Sequence, residues 1–209
     1  MLAYNHEPYV RQAIESILEQ VVDFPIEIVV GEDCSTDRTR EIILEYQSLR
    51  PELFRIITSD TNVGMNENLA RILLSSRGKY IAICECDDYW VSSEKLTRQV
   101  KFLHSHSKTS LVFSDRLVVN GDNTSATFYD EREYFLADVL EGFIPPTQTM
   151  MWRRTDDLIG RIHACLDNPS GDRLIAYHCA LFGTISKDSF VSAAYRITGE
   201  GVWSSLPKR

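Results

Sequence analysis

Short continuous apolar runs along this chain alternate with stretches in which apolar residues recur every three or four positions. Val10, Ala13, Ile14, Ile17 and Leu18 keep helical spacing, with Asn5 as a candidate cap and Pro8 in the first turn. Residues 26–30 form an apolar run of the length and β-branched character of a strand covered on both faces. A helix is expected over about 38–49 with Ile42, Ile43 and Tyr46 inward, then a strand over 54–58. The turn Asn62-Val63-Gly64 leads into a helix marked by Leu69, Ile72 and Leu73 and closed by Gly78. A further apolar run follows over 80–84. Strands and helices in this alternation imply parallel pairing through right-handed crossovers. Beyond Trp90 the pattern predicts a helix over 94–104, a strand over 111–113 and a hairpin joining 117–119 to 127–129 through Asn120-Gly121-Asp122-Asn123. It then predicts a helix over 134–140, a strand over 149–152, a helix over 172–182 stopped by Gly183, an extended segment over 189–197 and a loop tail through Trp203.

Two of the apolar runs end in acids. The run over 80–84 meets Glu85, Asp87 and Asp88, followed by Tyr89 and Trp90; the run over 26–30 meets Gly31-Glu32-Asp33-Cys34-Ser35-Thr36-Asp37. In an open α/β sheet the carboxyl ends of the strands face the ligand crevice, and carboxylates crowded there repel one another unless a cation or its phosphate complex is bound. Mg²⁺ or Mn²⁺ suits such ligands, since hard cations bind through one or two carboxylates plus substrate phosphates. The alternative is a solvated acidic turn that caps the next helix.

Composition narrows the class. The chain has 209 residues, 44% hydrophobic and 25% charged, enough for one ordinary globular domain. A net charge of -8 argues against a nucleic-acid partner, which calls for a basic face. No apolar run approaches a membrane span and the start lacks a signal-peptide layout, so a cytoplasmic location is expected. The five cysteines form no C-x-x-C, so neither a disulfide framework nor a zinc ribbon is implied.

Four motifs stand in one order: Tyr4-Asn5-His6-Glu7, Gly31 to Asp37, Asn62-Val63-Gly64-Met65-Asn66-Glu67-Asn68, and Glu85-Cys86-Asp87-Asp88-Tyr89-Trp90. Together they resemble family 2 glycosyltransferases of the GT-A fold, and within them a bacterial branch whose D-x-D-D motif is followed by Tyr-Trp. Gly171-Asp172 before a helix, and Tyr195-Arg196-Ile197 before Gly201-Val202-Trp203-Ser204, resemble the C-terminal half of that branch. The resemblance implies a Rossmann-like, mostly parallel α/β sheet flanked by helices. It also implies one domain over 1–209, in which 1–115 binds a nucleotide sugar and 116–209 binds the acceptor.

Further roles follow from the same resemblance. Tyr4, Asn5 and Glu7 belong to the nucleotide side, with Tyr4 stacking on or flanking the base. Asp33 resembles the acid that accepts hydrogen bonds from the base, commonly uracil; helix capping is its alternative. Asn62, Gly64 and Asn68 lie where the family's loop passes the nucleotide, and a plain turn is theirs. Glu85 and Asp87 would meet the ribose and diphosphate, and Asp87 and Asp88 the metal, Mn²⁺ or Mg²⁺. Asp172 resembles the base that deprotonates the acceptor hydroxyl, with an N-cap as the alternative and Asp167 as second choice. Trp90, Arg196 and Trp203 fall on the acceptor or phosphate side. The implied partners are a nucleotide-sugar donor, UDP-linked, and a glycan or a lipid-linked acceptor that would bring the enzyme to the inner face of the membrane.

The sequence departs from the family in three places. Glu85 replaces the first aspartate of the acidic motif, Thr198 stands where relatives often carry histidine, and only Met1-Leu2-Ala3 remains of the apolar strand that precedes Tyr-Asn. A short first strand exposes ladder groups and apolar surface at the centre of the sheet. Two rival functions are a catalytically silent nucleotide-sugar-binding module and a dinucleotide-dependent oxidoreductase. The second is disfavoured because no G-x-G-x-x-G follows any strand.

Overall fold

The computed structural model describes residues 1–164 and 171–199. In chain order its elements are β1 (Leu2–Ala3), α1 (Val10–Leu18), β2 (Ile28–Glu32), α2 (Thr39–Leu49), β3 (Phe54–Thr58), α3 (Met65–Ser75), β4 (Tyr80–Ala82), β5 (Tyr89–Trp90) and α4 (Lys95–Ser105). There follow β6 (Thr109–Asn120), β7 (Asn123–Thr127), β8 (Glu133–Tyr134), α5 (Leu136–Leu140), a 3-10 turn (Thr147–Thr149), β9 (Met151–Arg153), α6 (Asp156–Ala164), α7 (Gly171–Phe182) and β10 (Thr184–Arg196).

The N-terminal strands pair in parallel in the order β1-β2-β3, as the alternation of elements predicts. Leu2 also meets Glu85 in a parallel bridge, and Cys86 N–H donates to Leu2 O at 3.0 Å, so β1 joins this sheet to the segment after β4. The remaining strands run β4-β9-β6-β10-β5. Here β6 and β10 are parallel, whereas β9 is antiparallel to β4 and β6, and β5 is antiparallel to β10. Helices cover both faces. One apolar cluster joins Val10, Ile14 and Ile17 of α1, Ile42 and Ile43 of α2, and Leu103 of α4. The other joins Leu69, Ile72 and Leu73 of α3, Leu158 of α6, and Ile175 and Cys179 of α7.

Several expected boundaries are corrected. Asn5 caps no helix: α1 starts at Val10, and Asn5 sits in a left-handed turn with φ 54°. The strands expected over 111–113 and 117–119 are one strand of 12 residues, β6. Ser114 and Asp115 read as a break because they are polar, yet both are satisfied inside the sheet. Ser114 Oγ bonds Ser192 Oγ at 2.6 Å, and Asp115 pairs with Lys187 at 3.0 Å. β6 then turns through Gly121 and Asp122 as expected, but the returning strand is β7, Asn123–Thr127, rather than 127–129, so Leu117 faces Ala126 and Val119 faces Thr124. The pattern missed α6, whose signal was Thr155: its Oγ1 accepts the Leu158 N–H at 3.1 Å, an N-terminal cap three residues ahead of a Leu-Ile pair. Tyr89 and Trp90, given no element in the sequence pattern, form β5 on the edge that β10 offers.

Lys95 is fully buried, 4.6 Å above the Trp90 ring, and donates to Gln99 Oε1 at 2.7 Å. Burial lowers its ammonium to about 7. The unfolded chain therefore holds a proton that the folded chain lacks between about pH 7 and the ordinary value of 10.5. Stability contributed at this site rises with pH across that window and is lowest where the buried amine is charged. Replacing Lys95 with Met removes the titrating group. Melting of the two proteins from pH 6 to 9 should show wild type gaining on Lys95→Met as pH rises; parallel curves would contradict the assignment.

β1 is as short as the sequence suggests. Met1 is buried, its amino group donates to Val29 O at 2.7 Å, and Gly31 N–H donates back to Met1 O at 3.0 Å. Burial lowers the pKa of that amine. Upstream of it, between β2 and β4, lies a 470 Å³ cavity walled by Phe24, Ile26, Ile28, Ile81, Ile83 and Trp152. No other described segment fills this strip. An extension of about six residues of Val and Ile character ahead of Met1, the length of a typical strand, should therefore raise the melting temperature by covering both sheet edges. An unchanged melting temperature would show that the strip gains nothing from a strand.

Candidate active site

Three loops leave the carboxyl ends of β1, β2 and β4 and meet at one end of the sheet. The first two are zipped together by short polar bonds. Asn5 N–H donates to Ser35 Oγ at 3.1 Å, Thr36 N–H to Asn5 Oδ1 at 2.8 Å, His6 N–H to Thr39 Oγ1 at 2.7 Å, and Glu7 N–H to Asp37 Oδ2 at 2.9 Å. Arg38 N–H closes the set on Glu7 Oε2 at 3.0 Å. The Tyr-Asn-His-Glu motif thus satisfies backbone groups at the start of α2 that would otherwise lack partners. Tyr4 projects from this seam, 43% exposed, an aromatic face open to a ligand. Cys34, like Asn5, has a positive φ, 60°. Non-glycine residues rarely adopt this conformation, and it clusters at binding sites.

Asp33 is 2% exposed and both its carboxylate oxygens are in use: Oδ1 accepts Val63 N–H at 2.8 Å and Oδ2 accepts Gly64 N–H at 2.9 Å. Asn62 Nδ2 donates to Asp33 O at 3.3 Å. The aspartate therefore pins the 62–64 loop over the end of β2. Gly64 opens α3 with φ 86°, a conformation that disfavours any side chain. Asn68, expected beside a nucleotide, is instead core, 2% exposed, with Nδ2 bonded to Gly31 O at 2.8 Å. Gly31 has no side chain because α3 lies against it; a Cβ there would meet Ile72 Cγ2 at 2.7 Å.

The third loop carries the acids. Asp88 is 1% exposed; its Oδ1 accepts the backbone N–H of Arg196 at 2.9 Å, and its Oδ2 is buried with no partner. Burial pushes its carboxyl well above the usual range, helped by the charge of Asp87 and opposed by Arg196 and Arg116. Glu85 is raised likewise, by burial first and then by Asp88, Asp87 and Asp172. Asp172 reaches this group from the first turn of α7. Its Oδ1 accepts Arg173 N–H at 2.7 Å, and burial raises its carboxyl above the ordinary value. Glu85 thus lies within electrostatic reach of Asp88, Asp87 and Asp172. Asp167 and Trp203 lie outside the described residues.

Two residues expected on the acceptor or phosphate side do other work. Trp90 is 6% exposed and donates its indole N–H to Gln148 O at 3.1 Å, so it anchors the acidic loop in the core. Arg196 donates from Nη1 to Asp87 O at 2.6 Å and bonds Gln12 Oε1, its guanidinium lying 4.4 Å from the Tyr89 ring centre and 5.2 Å from that of Tyr9. It holds the acids in place, and nothing but its position ahead of the tail marked it in the sequence. Sequence reasoning also passed over His6, whose Nδ1 is buried without a partner and whose pKa is lowered by burial against the pull of Asp87 and Asp37. Its only signal was its place inside Tyr-Asn-His-Glu.

Among the described residues no three His, Cys, Asp or Glu side chains form a group able to hold a metal ion by themselves. The donor set nevertheless fits a hard divalent cation that brings further oxygens with it. Asp88 has a free buried oxygen, Asp87 is its neighbour, and carboxyls pushed upward by mutual repulsion are relieved by a nearby positive charge.

Comparison with known proteins finds relatives by sequence and by fold. An uncharacterized protein of Mycobacterium tuberculosis is 32% identical over 211 residues, which cover 98% of this chain and 59% of the relative. The putative teichuronic acid biosynthesis glycosyltransferase TuaG of Bacillus subtilis is 30% identical over 106 residues, 50% of this chain and 40% of that protein. Among solved structures, S. aureus TarS 1-349 in complex with UDP superposes with a TM-score of 0.72 at 22% identity, over 95% of this chain and 60% of that one. The mannosyltransferase PcManGT from Pyrobaculum calidifontis, in complex with GDP-Man and Mn²⁺, gives 0.71 at 19% identity, over 96% and 56%. The chain spans about three fifths of the length of the mycobacterial relative and of TarS 1-349. The fold is GT-A, an α/β sheet flanked by helices. Residues 1–164 match the family Glycosyl transferase family 2, and the chain belongs to that family.

Proposed function

We propose that the protein is an inverting glycosyltransferase that moves a sugar from a nucleoside diphosphate, UDP in the first instance, to a glycan or lipid-linked acceptor of the cell envelope. The observation that carries this reading is the cluster of Glu85, Asp87 and Asp88 directly after β4, with a buried carboxylate oxygen of Asp88 left without a partner, at the carboxyl end of the strands. It is supported by relatives named for teichuronic acid synthesis and for poly(ribitol-phosphate) β-N-acetylglucosaminyl transfer, and by fold neighbours solved with UDP, UDP-GlcNAc, and GDP-Man with Mn²⁺. The Asp-Asp-Tyr-Trp sequence supports the bacterial branch that the chain resembles. No described helix is long and apolar enough to cross a membrane, so a lipid-linked acceptor would be met from the surface.

In this reading Tyr4 and the seam around Asn5 and Glu7 receive the base, and Asp33 holds the 62–64 loop beside it. Glu85 faces the ribose, and Asp87 and Asp88 hold Mn²⁺ or Mg²⁺. The cation supplies Lewis-acid stabilisation of the charge that appears on the leaving diphosphate, an effect worth several kcal/mol in metal-assisted reactions. Asp172 takes the proton of the acceptor hydroxyl as its oxygen attacks the anomeric carbon opposite the diphosphate, and the configuration inverts. Burial suits Asp172 to the task, because a carboxyl raised toward the working pH is a better proton acceptor than an ordinary one. A silent nucleotide-sugar-binding module is the rival.

Titration with UDP and Mn²⁺ tests the metal site. Asp87→Ala and Asp88→Ala should each remove the Mn²⁺-dependent part of the stabilisation that UDP gives the wild type, since ligands that bind only the folded state raise its melting temperature by mass action. Variants that respond to UDP and Mn²⁺ like the parent would place the site elsewhere.

Enzyme and module part at Asp172. Asp172→Asn keeps the size and the local backbone bond while removing the proton acceptor, so transfer should slow by about a hundredfold to ten-thousandfold with UDP affinity nearly unchanged. Near-normal transfer would exclude Asp172 as the base, and absence of transfer by the wild type across donors would favour the module.

A further inference from the structure

A closed circuit of contacts runs from Trp90 through α4 and the 3-10 turn and back. Lys95, the first residue of α4, places its Nζ 4.6 Å from the Trp90 ring centre and donates to Gln99 Oε1 at 2.7 Å. One helical turn on, Gln99 Nε2 donates to Thr149 O at 2.7 Å. The neighbouring carbonyl, Gln148 O, accepts the Trp90 indole N–H at 3.1 Å. The circuit thus leaves Trp90 through the face of its ring and returns through its N–H. Lys95, Gln99, Gln148 and Thr149 are all at most 1% exposed.

A lysine is almost never fully buried unless it is paired, and here its partners are a neutral amide and an aromatic face instead of a carboxylate. Cys84, the titratable group whose charge reaches the amine, holds its proton because burial raises its thiol. The amine is therefore not kept as half of an ion pair. An apolar side chain would fill the same space without the cost of desolvation. It would lack the hydrogen bond to Gln99 and the attraction of the charged form to the indole face, which strengthens away from water. Those contacts tie α4 to Trp90, and Trp90 stands two residues past Asp88 with its backbone N–H on Ser16 Oγ at 3.0 Å.

We propose that Lys95 is a positioning residue for the donor site: by way of Gln99 and Trp90 it fixes where Asp87 and Asp88 stand. The role of those acids rests on the nucleotide-sugar reading above, but the first test reads the loop itself. Amide hydrogen exchange should be compared at Trp90 N–H, at Arg196 N–H, which bonds Asp88 Oδ1, and at Ile28 N–H, which bonds Leu53 O toward β3. Lys95→Met should speed the first two about tenfold relative to Ile28, and Gln99→Met should do the same. In a Trp90→Leu background Lys95→Met should add little, because the route to the loop is already cut. Tryptophan emission of the wild type should carry a component that titrates near pH 7 and is missing from Lys95→Met. By calorimetry Lys95→Met should bind UDP with Mn²⁺ about tenfold more weakly, and uridine as the wild type does. Equal acceleration at Ile28, a full effect of Lys95→Met in the Trp90→Leu background, identical emission titrations, or unchanged affinity for UDP with Mn²⁺ would each overturn the assignment. If the wild type binds neither UDP nor Mn²⁺, the donor reading fails and the exchange data alone decide the Lys95 assignment.

Discussion

The bond from the backbone N–H of Arg196 to Asp88 Oδ1, 2.9 Å long and 108 residues apart in sequence, fixes the geometry on which the site depends. A loop of acids after a strand would on charge alone splay into water. Here its carboxyl ends are held in three ways: by that N–H, by the Arg196 side chain on Asp87 O, and by Trp90 sunk into the core. β5 adds a backbone ladder, pairing Tyr89 and Trp90 with Ala194 and Ala193 of β10. Two of these ties and the ladder come from β10, and Trp90 bonds Gln148 O in the 3-10 turn. Later stretches of the chain thus set where the acids after β4 stand.

How much of this the sequence disclosed depended on range. The loops after β1, β2 and β4 were legible because their chemistry is local: acids at the end of an apolar run, a Gly before a helix, Asn and Ser where backbone groups need partners. The seam between 5–7 and 35–39 was not legible, since nothing in either stretch names the other. Ser114 and Asp115 misled for the same reason. Read locally they interrupt a strand, but Ser192 and Lys187, more than seventy residues on, satisfy them within one continuous β6. Asn68 and Trp90 show the converse error. Their motif positions suggested ligand contact, and their burial shows that they hold α3 and the acidic loop in place.

The acids carry an energetic consequence that ties folding to binding. Glu85 and Asp88 are raised well above ordinary carboxyls, so the folded chain keeps protons there that the unfolded chain has already released. Their contribution to stability is greatest below the ordinary carboxylate range and is lost as pH rises toward the folded values. Above the ordinary carboxylate range these acids therefore oppose the fold, through burial first and mutual repulsion second. A positive charge bound at these acids would offset the repulsion and give the buried Asp88 Oδ2 a partner. Unfavourable groups of this kind persist where the surrounding structure over-determines them, and the Arg196 and Trp90 ties are that structure. A ligand that binds the acids only in the folded chain would then stabilise the protein by mass action.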